Sequence, residues 1–238
     1  MARRALIELL TKQRPDLDDP TAAIAAGEVH VDGVIVTNPN SQVRPDAAIV
    51  VKQAKELKGE AKLAAGLDAF SQPVDIEHKV CLDVGASTGG FTTELLRRGA
   101  RFVYAVDAGH GQLMGSLRQE PRVKNLEATN ASELDRHLIP QAIDVVTIDV
   151  SYSPLRAIVP DITKNLDWAD GASMVALVKP MFELQAASLP TERADLERAL
   201  NAGEQAITTA GWKVVQAIES PLRGNAGAVE FFIRATLA

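Results

Sequence analysis

The chain has almost no cysteine. Cys81 stands alone inside an apolar run, which excludes an intrachain disulfide framework and predicts a buried, inert thiol. Histidine is scarce too, and His30, His78, His110 and His137 show no metal-ligand spacing, so no metal is implied. No apolar stretch approaches the ~18 residues that span a bilayer. Glu8 interrupts the apolar run behind the basic start Ala2-Arg3-Arg4, so no secretory leader is expected. Positive charge is not in excess. The formal net charge of -6 excludes a surface that is nucleic-acid-binding throughout, but not a local basic face. These absences together fit a reducing, cytoplasmic setting without membrane contact. Internal repeats and low-complexity tracts are also missing.

What is present is a large apolar fraction. With 46% hydrophobic residues over 238 positions, the chain can fill one large α/β domain plus a small appendage. Residues 1–53 read as a small α+β module. Leu6, Leu9 and Leu10 give Ala5 to Gln13 a helical pattern. Asp19-Pro20 signals a second helix, with Asp19 as N-cap and Pro20 at the first helical position, ending at Gly27. Val29 to Val36 alternates around Asp32-Gly33, a hairpin signal, and Ala48 to Val51 is a further strand. Residues 54–78 read as a linker and a short helix, Leu63 to Phe70. The charged run 52–60 belongs to the linker.

From residue 79 to 238 strands and helices alternate. Strands are expected at Val80–Val84, Phe102–Asp107, Val123–Glu127, Val145–Asp149, Ser173–Lys179 and Lys213–Glu219. Helices are expected at Gly90–Arg98, Leu155–Leu166 and Thr191–Ala210. Such alternation predicts a doubly wound, mostly parallel sheet. The rhythm breaks at the end. Val229–Thr236 follows another strand through the turn Gly224-Asn225-Ala226-Gly227, so the last strand should return antiparallel.

The most informative segment is Leu82-Asp83-Val84-Gly85-Ala86-Ser87-Thr88-Gly89-Gly90-Phe91. An apolar strand ends in an acid, then a small-residue turn opens a helix, where backbone N–H groups can approach a ligand. Its glycine spacing is not that of a dinucleotide fingerprint, G-x-G-x-x-G. Asp83, placed before the first glycine, suits a cationic or amine-bearing ligand better than a pyrophosphate. Asp107, closing the next strand, is placed to hold a ribose diol. The pattern fits S-adenosylmethionine better than NAD. The alternative leaves both acids as solvated strand ends.

This run resembles that of the TlyA-type ribosomal RNA ribose methyltransferases. Further similarity lies in Val103 to Asp107 with Gly109-His110-Gly111-Gln112-Leu113, in Leu126 to Asn130, in Ala176 to Glu183 and in Ser220-Pro221-Leu222 with Val229-Glu230-Phe231-Phe232. The resemblance spans nearly the whole chain. It implies a class I S-adenosylmethionine-dependent methyltransferase domain of the FtsJ-like kind, Rossmann-like, behind a small S4-like RNA-binding domain. It also implies a cofactor site of Asp83, Gly85, Ala86, Ser87, Thr88, Gly89, Gly90, Phe91, Asp107, Ala108, Thr129, Asn130 and Asp149. The partner implied is ribosomal RNA or a ribosomal subunit.

The same resemblance implies a catalytic set of Lys62, Asp149, Lys179 and Glu230. The residues lend their own support. Lys179 ends a buried strand, where an ammonium is costly without a purpose, and Glu230 interrupts apolar alternation. The alternatives are snorkelling for Lys179, a solvent-facing position for Glu230 and a solvated helix lysine for Lys62. A lysine needs help to act as a base at neutral pH. Lys62 nearby would lower the pKa of Lys179, and the two carboxylates would raise it.

Departures from the family are local. Glu60-Ala61 precede Lys62 where the family carries glycine and a basic residue, and Tyr152-Ser153-Pro154 alters the loop after Asp149. Residues 1–58 carry eight cations and eight anions. RNA contact is therefore expected at the group Arg3, Arg4, Lys12 and Arg14, whose alternative role is a solvated helix end. Arg97 and Arg98, near Arg101, are a second candidate phosphate contact. Three other readings compete with methyl transfer: a relative that binds RNA or cofactor without catalysis, a membrane-acting haemolysin and a nicotinamide enzyme.

Overall fold

A computed structural model describes residues 3–17, 19–25, 27–51 and 57–237. The chain divides into two compact units, Met1–Glu56 and Leu57–Ala238. The expected linker began at 54; residues 52–56 lie outside the described residues, and 57–78 fall within the second unit.

The first unit contains β1 (Arg4–Ala5), α1 (Leu6–Gln13), α2 (Pro20–Ala25), β2 (Val29–Val31), β3 (Val34–Ile35), β4 (Gln42–Val43) and β5 (Ile49–Val51). The Asp19 carboxylate accepts the Ala22 N–H at 2.9 Å, the N-cap bond that its position suggests. Asp32 and Gly33 both take positive φ, 51° and 85°, as a tight β2–β3 turn demands. The sheet order is β3-β2-β5, antiparallel throughout. Leu6, Leu10, Ile24, Val29 and Val31 close its core.

The second unit contains α3 (Lys58–Ala69), β6 (Val80–Val84), α4 (Gly90–Arg97), β7 (Phe102–Asp107), α5 (Gly115–Gln119), β8 (Val123–Glu127), β9 (Ile143–Ile148), α6 (Val159–Asn165), β10 (Trp168–Val178), α7 (Pro180–Glu183), α8 (Arg193–Thr209), β11 (Trp212–Glu219) and β12 (Phe231–Leu237). Its seven-stranded sheet has the order β11-β12-β10-β9-β6-β7-β8. Strands β6 to β10 run parallel, and β12 is antiparallel to both β10 and β11. This is the α/β, Rossmann-like plan with an antiparallel last strand.

Strand alternation explains the layers. Val80, Leu82 and Val84 face one core with Ile162, Ile207 and Trp212. Cys81 faces the other, with Leu63, Leu67, Phe91, Leu95 and Phe232. Burial pushes the Cys81 thiol pKa up, so it stays protonated.

Several elements differ from expectation, among them β1, β4 and α7, which no sequence pattern announced. Helix α3 starts at Lys58 rather than Leu63, because glycines carry part of its packing and hide the periodicity. The expected helix 155–166 breaks into a 3-10 turn, Leu155–Ala157, and α6, with Pro160 in the first turn, where its missing N–H costs nothing. Strand β10 begins five residues early, with an irregularity between Trp168 and Ser173 at Asp170-Gly171. Helix α5 was hidden in the loop after β7.

Candidate active site

In an open parallel sheet, ligands bind beyond the carboxyl ends of the strands, where the strand order reverses. Here the order reverses at β6, with β7 and β8 on one side and β9 and β10 on the other. A crevice of about 470 Å³ opens there, lined by Gly85, Ser87, Asp107, Ala108, Gln112, Thr129, Asn130, Ser132, Asp149 and Tyr152 among others. Such a volume suits a small ligand. Gly85 has φ +90°, and a Cβ there would run into the Asp149 carbonyl oxygen, so only glycine lets β6 and β9 end this close together.

Asp107 holds the rim. One carboxylate oxygen accepts the Ser87 N–H at 2.7 Å and the other the Gly109 N–H at 2.6 Å. The Ser87 hydroxyl bonds to the Gln112 carboxamide at 3.1 Å. Behind this loop, Glu127 is held far below its ordinary pKa, at about 2, by the Asn125 amide, by the Leu113 and Gln112 N–H groups and by Arg118. Gln112 and Ser132 were missed in the sequence. They sit in short irregular loops without periodicity, and only the quoted Gly109 to Leu113 run hinted at Gln112.

The small-residue turn departs from its expected role. Gly85 and Ala86 give their N–H groups to the Val106 carbonyl, and Gly89 gives its own to Ala86. The turn braces β7 rather than presenting these amides to a ligand. Ala86 is buried against Ala105, Leu113 and Leu117. Thr88 is exposed away from the crevice lining, and Gly89 and Gly90 open α4. Phe91 belongs to the core, its ring 6.4 Å from that of Phe232.

Asp83 does not line the crevice either. It is wholly buried, accepting the Thr92 hydroxyl at 2.7 Å and the Thr147 hydroxyl at 3.0 Å. Burial pushes its pKa up to about 7 against the pull of those two hydroxyls. The reason is strand parity: Asp83 shares the face of Cys81, beneath α4, instead of projecting past the strand end.

The four residues of the expected catalytic set meet as two pairs. Lys179 Nζ lies 2.6 Å from Asp149 Oδ1, an ion pair by distance although its angle is not that of a hydrogen bond. The same ammonium donates to Ser151 Oγ at 3.2 Å. Lys62 Nζ donates to Glu230 Oε2 at 2.5 Å. Lys62 is thus Glu230's partner. Asp149 and Lys179 follow the neighbouring strands β9 and β10, and Glu230 precedes β12, which pairs with β10 through Val178 and Phe231. Side-chain exposure is 6–20% across the set, so each charge is largely desolvated and paired.

Lys179 and Glu230 line a second, smaller cavity with Ser151, Tyr152, Met181, Phe182 and Asn225. Ser151 and Tyr152 border both cavities. Tyr152 takes φ 69°, is 88% exposed, and stands 5.2 Å from the Phe182 ring. The arrangement can hold a donor on one side of the lysine–carboxylate pairs and an acceptor on the other.

The basic groups are placed less simply. Arg3, Arg4 and Lys12 are exposed. Arg14 forks onto Asp16 at 2.9 and 2.7 Å, so its charge already has a partner. Arg97 and Arg98 are bound to the buried Glu94 rather than free for phosphate. Among the described residues no helix is long and apolar enough to cross a membrane.

Comparison with known proteins agrees with this geometry. A model of the FtsJ-like methyltransferase family matches residues 58–236. The 16S/23S rRNA (cytidine-2'-O)-methyltransferase TlyA of Mycobacterium tuberculosis is 36% identical, over 98% of this chain and 90% of its own length. A solved structure named as a hemolysin, from Streptococcus thermophilus, matches with a TM-score of 0.71 and 30% identity, covering 100% of this chain and 90% of that one. The fibrillarin pre-rRNA processing protein of Methanococcus jannaschii shares the fold, with a TM-score of 0.57 at 16% identity over 80% of this chain and 78% of its own. The chain belongs to the FtsJ-like methyltransferase family, in its TlyA-type branch.

Proposed function

We propose that this protein transfers a methyl group from S-adenosylmethionine to a ribose 2′-hydroxyl of ribosomal RNA. The observation that carries the reading is a set of two ion pairs, Lys179–Asp149 and Lys62–Glu230, in which Asp149 lines the crevice while Lys179 and Glu230 line the smaller cavity that shares Ser151 and Tyr152 with it. The crevice suits the cofactor: Asp107 offers a carboxylate for a ribose diol, and Asp149 one for a cationic donor. Asp107, Thr129, Asn130 and Asp149 would hold it, and it supplies an activated methyl on a sulfonium.

The chain's own residues do the rest. The Lys179 nitrogen is ion-paired with Asp149 and donates one N–H to Ser151. The remaining position on the nitrogen is left to face the incoming 2′-oxygen in line. The ammonium orients that oxygen, and once it has given one proton to solvent the neutral amine accepts the hydroxyl proton as the oxygen takes the methyl group. Glu230, tied to Lys62, walls the acceptor side. Alignment of this kind contributes ~7–11 kcal/mol in favourable cases, and a positioned proton acceptor adds ~10²–10⁴-fold.

The same reading gives the S4-like module expected over residues 1–53, within the first unit, the task of RNA contact through Arg3, Arg4, Lys12 and Arg14. Arg14 would have to exchange Asp16 for a phosphate.

The test is transfer of labelled methyl from S-adenosylmethionine to purified ribosomal subunits, followed by nucleoside digestion. A 2′-O-methyl nucleoside is expected, with cytidine the first to look for, given the Mycobacterium tuberculosis relative's name. Label on a base, or no label on either subunit, would reject the assignment.

A further inference from the structure

Helix α3 carries Lys62 but is not part of the sheet, so the reach of Lys62 to Glu230 depends on how α3 docks. Leu57, at its N-cap position, makes no side-chain capping bond. Its apolar contacts, Leu63 and Leu67 against Phe91 and Leu95, are non-directional. Two close approaches fix its distance from the rest. A Cβ on Gly90 would meet Gly59 Cα and Glu60 N, and one on Gly66 would meet the Phe232 ring. These contacts hold α3 by packing, and its polar ties lie toward its C-terminal end, where the Ser71 N–H and hydroxyl both donate to the Gln216 carboxamide oxygen at 2.9 Å.

A polar bracket on the α4 side adds a directional tie. Arg98, at the C-cap of α4, donates to Asp68 Oδ1 at 2.6 Å and reaches the Ala64 carbonyl oxygen at 3.4 Å, both on α3. Its Nε donates to Glu94 Oε1 at 2.6 Å. Glu94 is completely buried, and Arg97 binds its other oxygen at 2.6 Å. A wholly desolvated carboxylate is costly to keep, lies outside both cavities, and takes no part in the proposed chemistry. What it does is aim the Arg98 fork at α3. Helix α4 follows the turn that contains the crevice residues Gly85 and Ser87, so one element joins that turn to the helix of Lys62.

We propose that Arg98, held by Glu94, is a positioning residue for methyl transfer, fixing α3 in the register at which Lys62 meets Glu230. The proposal rests on the functional reading above. A misplacement of about 1 Å remote from the chemistry can cost ~10²-fold in rate.

The test is a double-mutant cycle between Arg98→Gln and Lys62→Ala, read as kcat, KM for RNA and Kd for S-adenosylhomocysteine. Arg98→Gln should lower kcat ~10–100-fold and leave the cofactor Kd within about twofold. In the Lys62→Ala background the same change should cost less than about twofold, because the residue being positioned is gone. Arg98→Lys keeps the charge on Glu94 without the fork and should restore only part of the rate. Independent, multiplying losses would overturn the proposal, as would full kcat in a folded Arg98→Gln protein. Should Arg98→Gln fail to fold, Asp68→Asn, at an exposed carboxylate, runs the same cycle. A crystal structure of the Arg98→Gln or Asp68→Asn protein reads the displacement without turnover. Lys62 still seated on Glu230 there would overturn the positioning role whatever the substrate proves to be. Full turnover in Lys62→Ala would instead reject the catalytic set, and the positioning role with it.

Discussion

Lys179 Nζ stands 2.6 Å from Asp149 Oδ1 at the ends of two neighbouring parallel strands. Both residues follow buried apolar runs, and each is the group that makes the other's desolvation tolerable. Removing the ammonium therefore leaves the Asp149 carboxylate unpaired as well as taking away the group that meets the acceptor. Lys179→Ala should lower methyl transfer by ~10³-fold or more while S-adenosylhomocysteine binds within about twofold of wild type. Asp149→Ala, which also alters the crevice lining, should weaken both. Calorimetry and single-turnover transfer separate the two effects. Near-normal turnover in Lys179→Ala would remove this lysine from the mechanism.

Glu230 is held from the other side by the turn before β12. A Cβ on Gly224 would press into its carboxylate, and the Ser220 N–H donates to its backbone carbonyl at 2.8 Å. Gly224→Ala should push that carboxylate off Lys62 and lower kcat by ~10-fold or more, with cofactor affinity unchanged because Gly224 is remote from the crevice lining. Parallel kcat and Kd measurements check this. Unchanged kcat would show that Glu230 has room to shift without consequence.

The fold was largely legible because strand parity and turn chemistry are local. Asp19, Asp32-Gly33 and the alternation through β6, β7 and β8 each state their structure within a few residues. The start of α3 was not legible, since its contacts fall on Gly59 and Gly66, which carry no hydropathy signal, and its partners Gly90 and Phe232 are remote in sequence. Proximity of Lys62 to Glu230 came from family resemblance rather than from pattern. Two placements differ from expectation for different reasons: strand parity turns Asp83 beneath α4, and the turn amides of Gly85, Ala86 and Gly89 are taken up by nearby carbonyls. Sequence shows which groups are near a strand end, but not whether neighbouring strands already use their hydrogen bonds. Gln112 and Ser132 depend on loop paths, which no periodicity encodes.

Gly85 tests the crevice itself. Its φ of +90° and the neighbouring Asp149 carbonyl both forbid a side chain. Gly85→Ala should destabilise the fold by about 1–3 kcal/mol and weaken S-adenosylhomocysteine binding, since relief requires β6 and β9 to part where the ligand sits. Urea unfolding and calorimetry measure the two losses. Stability and affinity both at wild-type level would mean that the strand ends are not as tightly apposed as described.

Asp83 gives a prediction in pH. Burial raises its carboxyl from the ordinary 3.8 to about 7. Between those values the folded chain keeps the proton while the unfolded chain has lost it. The contribution of this group to stability is therefore full below about pH 4 and declines as pH rises to about 7, by up to ~4 kcal/mol. Asn has no proton to lose, and its amide can still bond to the Thr92 and Thr147 hydroxyls. Asp83→Asn should consequently gain stability relative to wild type as pH rises from about 5 to about 7, with no further gain above. Urea unfolding of both proteins across that range gives the difference directly. A difference that stays constant would mean that Asp83 is already ionised in the folded chain, with the two threonine hydroxyls outweighing its desolvation.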